Sequence, residues 1–280
     1  MSNDLIRGAS YLLLGEFLLA VMAALIKHVS TEVPIETVVF TRNLFGLLAL
    51  APIVCRVGVS QLKTNHFRLH LIRTLTGLCG MYGYFYVIAH MPLAEATLVK
   101  LSAPFFLPII VFVWLKEKIN PAIFWSITVG FIGVIFVLRP GAESFQSIAL
   151  IGLAAAALAS VAKVSIRRMS NSEPSFRIVF YFGFLATCIS AIALLWGWQT
   201  PSLEMWGWLA LVGIAGTGGQ LLMTKAYVIA NPGQIGPYSY SAVIYASMMG
   251  WFIWNEVLLW TTLLGMGIII FAGLLTIKKA

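Results

Sequence analysis

The chain has 280 residues, 60% of them hydrophobic and 10% charged, with a mean hydropathy of +0.93. Soluble domains carry about 25% charged residues, and a globule this apolar would leave more hydrophobic surface in water than a fold tolerates, so a bilayer is the solvent that fits. The formal charge of +8 is placed as a topology signal and not as a nucleic-acid footprint, and Cys55, Cys79 and Cys188 define no disulfide framework and read as small buried hydrophobes.

A membrane helix needs about 20 mostly apolar residues. The first such stretch, Gly8–Lys27, contains Glu16 and is followed by no small-residue cleavage site, so it reads as a retained helix and not a signal peptide. Further spans are expected at Pro34–Val57, Leu69–His90, Ala94–Leu115, Ala122–Leu138, Ser147–Arg167, Phe176–Trp196, Met205–Ala230, Gln234–Trp254 and Leu258–Ile277. Short turns join them, among them Met91-Pro92, Asn120-Pro121, Arg139-Pro140-Gly141, Thr200-Pro201 and Asn231-Pro232-Gly233. If the spans alternate, Arg7, Arg56, Lys63, Arg68, Arg73, Lys116, Lys118, Arg167, Arg168, Arg177, Lys278 and Lys279 fall on one side, and only Lys27 and Arg139 on the other. Positive residues gather in the cytoplasm, which places both termini there and makes this a multi-pass protein of the inner (plasma) membrane.

The two halves echo each other. Tyr86-Val87-Ile88-Ala89 recurs as Tyr227-Val228-Ile229-Ala230, each followed by a proline turn, another span, and a glutamate at its end: Glu117 and Glu256. Gly77 and Gly218 match at the same offset as the Tyr-Val-Ile-Ala pair. Five spans per half is an odd number, so the second half would run inverted through the membrane, with Glu117 among cytoplasmic positive charges and Glu256 on the far side without any. The fold expected is an all-α membrane protein of about ten transmembrane helices in two inverted five-helix repeats, 1–141 and 142–280, forming one membrane domain. Inverted repeats about a midplane site are a common construction for alternating-access carriers.

With Ser102-Ala103-Pro104 and Leu115-Lys116-Glu117 in the fourth span and Phe40-Thr41-Arg42 in the second, the chain resembles the drug/metabolite transporter superfamily, and within it the group with paired EamA domains. The resemblance covers almost the whole chain and is strongest from Arg73 to Gly141. It implies secondary transport of a small molecule, with substrates in the family ranging from amino acids and organic acids to nucleoside-derived and vitamin-like molecules. One departure stands out: matching the glutamates puts Val243 opposite Pro104, which predicts that the halves bend differently.

Ionisable groups at membrane depth usually line a cavity or pathway. Arg42, Lys100, Lys163 and Lys225 are the positive residues within spans, and Glu16 is the acid nearest the middle of one. Arg42 lies about 12 Å along its helix from Pro34, where its planar fork either binds a carboxylate or phosphate of the solute or pairs permanently with Glu16 or helix-end carbonyls. Glu16 is the candidate for proton coupling, its alternative being simple neutralisation of Arg42. Lys100 stands before Pro104 and Pro108, which remove backbone hydrogen bonds and act as a hinge; it reads as cavity-lining, or as a partner of Glu95 or Glu16. Lys163 and Lys225 read as snorkelling to the inner surface. Tyr82 and Tyr86, Gln220 with Thr224, and the stripe Tyr238, Ser241 and Tyr245 offer rings and hydrogen bonds to an amphipathic solute, or serve as interhelical packing.

Gly77, Gly80 and Gly83 permit close helix approach, and Trp196, Trp198, Trp206, Trp208, Trp254 and Trp260 cluster near the outer boundary. His66 and His70 have the spacing of a metal pair but no third ligand, and read as basic cytoplasmic surface. No metal or cofactor is expected. The partners expected are a small-molecule substrate, the lipid bilayer and coupling protons, in a monomer or homodimer, with no nucleic acid. The leading expectation is a secondary active transporter of a small amphipathic or anionic metabolite; the alternative within transport is a proton-coupled exporter of cationic or aromatic compounds. A membrane-embedded enzyme would need a nucleophile, base and acid converging at one depth, which the sequence does not offer, and nothing in it calls for a receptor.

Overall fold

The computed structural model describes residues 3–115, 121–138, 147–169, 172–229 and 235–279, and these form eleven α-helices. They are α1 (Asn3–Val29), α2 (Ile35–Val57), α3 (Phe67–His90), α4 (Leu93–Lys100), α5 (Ala103–Leu115), α6 (Pro121–Leu138), α7 (Ser147–Met169), α8 (Ser175–Gly197), α9 (Leu203–Ile229), α10 (Ser241–Trp254) and α11 (Trp260–Lys279). Among the described residues, five helices are long and apolar enough to cross a membrane: α1, α2, α7, α8 and α9. The protein is a multi-pass, all-helical membrane bundle. Of the expected turns, Arg139-Pro140-Gly141, Asn231-Pro232-Gly233 and Asn120 lie outside the described residues, as does Glu117.

One expected span is not a continuous helix. The stretch Ala94–Leu115 is broken at Leu101–Ser102 into α4 and α5. Leu101 N–H donates to Thr97 O at 3.0 Å, while the Ser102 N–H and hydroxyl both turn back to Val99 O, at 3.1 and 2.7 Å. A proline at 104 has no N–H to return to the Lys100 carbonyl, so the ladder lapses and a tighter turn takes its place. The ninth expected span likewise opens as a 3₁₀ turn, Gly236–Tyr240, before α10 begins at Ser241. Ser102 and Ser241 are separated by the same interval as Glu117 and Glu256. The discontinuity recurs at matched positions although Val243 stands where the first half has Pro104.

Packing is dominated by a few helix pairs: α1 on α9, α3 on α7, α6 on α11, α2 on α8 and α9, and α4 on α10. Lipid gives helices no hydrophobic reason to associate, so close backbone approach decides the contacts. A Cβ at Gly15 would come within 3.1 Å of Met223 N and 3.2 Å of Gly219 O, which lets α1 and α9 meet backbone to backbone. In the α3–α7 pair a Cβ at Gly80 would lie 3.0 Å from Ala155 O, and one at Gly83 would lie 2.9 Å from Ala155 Cβ. The expected packing role of these glycines is thereby met.

The largest apolar core joins α1, α2, α3 and α9 through Ile26, Val39, Leu78, Phe85, Ile88 and Leu209. A second, built on Leu98, Phe105, Val134, Val243 and Ile269, holds α4 to α6, α10 and α11. Apolar side chains also cover the outside: Leu195, Trp196, Phe252 and Trp260 are exposed, as a lipid-facing surface requires. Cys55, Cys79 and Cys188 belong to this exterior, which corrects the expectation that they are buried; a small apolar thiol suits lipid as well as a core.

Candidate functional site

Glu16 lies thirteen residues from either end of α1, about 20 Å along the axis from each. It is buried, 6% exposed, and sits in the combined field of Lys100 and Lys163. Among the described residues its carboxylate makes no hydrogen bond and no ion-pair contact. Lys100 ends α4 at the helix break, and its Nζ stands 5.4 Å from the centroid of the Tyr84 ring. Lys163 feels both Glu16 and Lys100. It is exposed between buried Ala162 and Val164. The structure thus gathers one acid and two amines from α1, α4 and α7 beside a backbone discontinuity.

Arg42 and Arg73 form a second group. Arg42 is 2% exposed, and its Nη1 donates to Asn43 Oδ1 at 3.1 Å, while its Nε is buried without a partner. Asn43 in turn donates to Val39 O at 2.9 Å and reaches Met81 Sδ at 3.8 Å. The permanent Arg42–Glu16 pair considered from sequence does not form. Arg73, placed with the cytoplasmic charges by alternation, is instead 6% exposed, with its guanidinium 3.8 Å from the centroid of Phe182. It lies six residues inside α3, so a helical rise of about 9 Å carries it off the surface. Sequence reasoning passed over Arg73, Asn43 and Tyr84; the position of Arg73 inside the apolar span was the available signal.

The remaining expected site residues are scattered. Tyr82 is half-buried with a sealed, unpartnered hydroxyl. Tyr86 is 36% exposed and stacks on His90 at 4.2 Å, on the stripe of α3 that also shows Ile72, Leu75 and Cys79. Tyr245 meets Phe17 edge to face at 5.5 Å. The Ser241 hydroxyl is buried without a partner at the second discontinuity. Tyr238 packs on the small core of Leu12, Ala226 and Ile235, and Thr224 donates back to Gln220 O at 2.7 Å. Lys225 is exposed over the Tyr11 ring at 4.6 Å. The helix carrying Pro104 and Pro108 is interrupted just before Pro104 and continuous through Pro108.

Two polar knots tie the helix ends. At one, Lys27 Nζ pairs with Glu256 Oε1 and donates to Met91 O at 2.9 Å, while Leu93 N–H donates to Glu256 Oε2 at 2.8 Å. This joins α1, the α3–α4 turn and the α10–α11 loop, and corrects the expectation that Glu256 has no positive neighbour. Gly250 leaves room for that carboxylate, which a Cβ there would strike. At the other, Glu173 accepts from Thr64 Oγ1 at 2.5 Å and Arg177 Nη1 at 2.7 Å, and Arg177 Nε donates to Gln61 O at 2.6 Å. His70 is buried and stacked on Tyr181 at 4.4 Å, a second correction, since only His66 of that pair is exposed.

A multi-pass helical bundle with unpaired charges collected at mid-membrane and interrupted helices beside them is the build of a membrane carrier. The chain belongs to the EamA-like transporter family, whose profile matches residues 6–139 and again residues 146–278, and with it to the drug/metabolite transporters. Such proteins are transporters and not enzymes. The chain is 32% identical over 261 residues to the pseudopaline exporter CntI of Pseudomonas aeruginosa (strain UCBPP-PA14), covering 92% of this chain and 91% of that protein. It is 30% identical over 279 residues to an S-adenosylmethionine uptake transporter of Rickettsia bellii (strain RML369-C), covering 95% and 94%. A riboflavin transporter of Brucella anthropi is 26% identical over 231 residues, covering 80% and 81%. One solved crystal structure superposes with a TM-score of 0.65 at 20% identity, over 98% of this chain and 96% of that one, a likeness of fold alone.

Proposed function

We propose that the protein is a secondary active transporter that moves a small amphipathic or anionic metabolite across the inner membrane by alternating access, with both termini in the cytoplasm. The observation that carries this reading is the cluster of Glu16, Lys100 and Lys163, an acid and two amines from α1, α4 and α7 that share one interior field with no salt bridge among them. A structural ion pair closes to contact, because an incompletely paired charge in a low-dielectric interior is costly. Groups left short of contact suit a solute that completes them. With two amines to one acid the cluster favours an anion, and this argues against the exporter of cations.

Two inverted five-span repeats, 1–141 and 142–280, are supported by the two family matches and by the packing. If α4 and α5 count as one span, exchanging the halves turns the α1–α9 pair into the α7–α3 pair and returns α2–α8, α4–α10 and α6–α11 to themselves. The backbone contact of Gly15 with Gly219 then corresponds, within a residue, to that of Ala155 with Gly80. Rocking one half against the other about the charged cluster is the motion such symmetry permits. Glu16, bathed in two positive fields, is the proposed proton-coupling group, and Arg42, Lys100, Tyr82 and Ser241 are proposed solute contacts, Lys100 and Ser241 at the two discontinuities.

Counterflow of labelled amino acids, carboxylates and organic cations in proteoliposomes tests the reading. Saturable movement of an anionic solute is expected, with its apparent affinity reduced about tenfold in Lys163→Gln, equivalent to about 1.4 kcal/mol. Movement confined to organic cations would overturn the anion assignment. Chemical turnover without solute movement would overturn transport itself.

A further inference from the structure

On the transporter reading, each end of the bundle opens in turn to pass the solute, and at one end the contacts that must break converge on α4. This helix is a short arm with a corner at each end. Behind it, Met91 and Pro92 are both extended, at φ −130°, ψ 161° and φ −54°, ψ 140°, so the chain leaves α3 by a sharp turn. Ahead of it the ladder lapses at Leu101–Ser102, and Phe105 N–H reaches back only to Ser102 O, at 3.0 Å. Between the corners run the eight residues Leu93–Lys100, about 12 Å of helix.

Different contacts hold the two ends of the arm. Beyond the break, Ser160 of α7 donates to Ala103 O at 2.8 Å and ties the start of α5 to its neighbour. At the tip, the Leu93 N–H is an orphan donor of the first turn, filled by Glu256 Oε2 at 2.8 Å. Beside it, Thr262 Oγ1 of α11 donates to Glu95 Oε1 at 3.1 Å. The other oxygen of Glu256 pairs with Lys27 of α1, which also donates to Met91 O at 2.9 Å and lies 5.5 Å from the centroid of Trp254. One carboxylate from the second half of the chain thus grips two parts of the first. Its own position is set by Asn255, left-handed at φ 54°, after which Glu256 N–H turns back to Gly250 O at 3.1 Å.

The pair is not sealed. The side chains of Lys27 and Glu256 are 16% and 14% exposed, against 2% for Glu173 in the opposite knot. Breaking a sealed pair strands a buried charge, whereas water can replace the partners of this one.

We propose that Glu256 is the latch of a gate and α4 its arm. Release of Leu93 and Lys27 from the carboxylate frees the tip, and α4 swings about Leu101–Ser102 while α5 stays on α7. Lys100 is the last residue of the arm and stands at the pivot. The swing therefore turns its amine relative to the Tyr84 ring, 5.4 Å away in the closed form, and links opening to a proposed solute contact. In the closed form the energy of the latch belongs to the fold; opening gives it up.

Two measurements on the full-length protein test the gate. A carbodiimide joins a carboxylate and an amine in contact as an amide, the water lost being taken up as the urea. The Lys27–Glu256 cross-link is scored by mass spectrometry, and counterflow of labelled amino acids, carboxylates and organic cations is measured in proteoliposomes before and after treatment. Transport falls in proportion to the cross-linked fraction. Lys27→Arg, which keeps the ion pair but forms no stable amide, retains most of its own untreated rate. Independently of any solute, hydrogen exchange at Leu93–Lys100 is about tenfold faster in Glu256→Ala than in wild type, with the α1–α9 seam unchanged.

Counterflow that survives complete cross-linking overturns the gate and leaves transport standing. So do failure of the pair to cross-link, equal inactivation of wild type and Lys27→Arg, unchanged exchange in α4, and exchange raised equally along α1 and α9. Where Glu256→Ala fails to fold, the cross-link decides alone, since it needs no change at Glu256. No movement of any solute by untreated wild type removes the transporter reading, and the gate with it.

Discussion

Glu256 and Glu16 are both largely withdrawn from solvent, yet their surroundings are opposite. Each oxygen of Glu256 is engaged, one by Lys27 and the other by the Leu93 N–H, and the contact ties three parts of the chain at one end of the bundle. Glu16 meets its lysines only through their fields, at mid-membrane and beside a broken helix. The acid in contact is a fastener whose energy is spent on the fold. The acid short of contact leaves its electrostatics to a ligand or a proton. Burial alone does not separate them; place in the chain does, one in the α10–α11 loop and the other midway along α1, and so does the number of filled acceptor sites.

The largest effect that sharpens this contrast is on stability. Glu256→Gln should lower the thermal unfolding temperature in detergent by several degrees, with a cost on the order of 2 kcal/mol for a charge-assisted contact, whereas Glu16→Gln should leave it nearly unchanged. A greater loss in Glu16→Gln would break the contrast. Next comes function: in proteoliposomes Glu16→Gln should abolish uptake driven by a proton gradient while sparing solute exchange, and loss of both would count against a coupling role.

The smallest effect belongs to Glu173, an acid in contact at the second polar knot. Burial alone would raise its carboxyl, but hydrogen bonds from Thr64 and Arg177 and the charges of Arg177 and His70 outweigh it and hold the group below its ordinary 4.5. A depressed carboxyl stabilises the fold above its unfolded value, and that contribution is lost as pH falls below about 4.5 through the lower folded value. Wild type should therefore lose a few degrees on acidification through that window, and Glu173→Gln should lose less. Equal losses would place the acid sensitivity elsewhere.

Much of the architecture was legible from residue patterns. Hydropathy located the helices, and Gly15-like close approaches were foreshadowed by the glycines at 77, 80 and 83. What failed were readings in which a side chain reaches beyond its own helix. Arg73 was counted with its loop because topology rules weigh charges by segment. Lys27 and Glu256, far apart in sequence and each carrying an ordinary charge at a helix end, gave no local sign that they meet. The break at Ser102 was foretold by Pro104; its counterpart before Ser241 is marked instead by Gly236-Pro237 at the opening of the 3₁₀ turn, a signal that the sequence reading did not use.

The seam between α1 and α9 bears on how the protein is made. α1 leaves the ribosome first, while roughly 170 residues intervene before α9 begins, a wait of about ten seconds or more at translation rates of ~5–20 residues per second. Glu16 is synthesised before Lys100 and Lys163, and until α9 is made the glycine face of α1 is without its partner helix. Closure of the α1–α9 seam is thus a late step in biosynthesis.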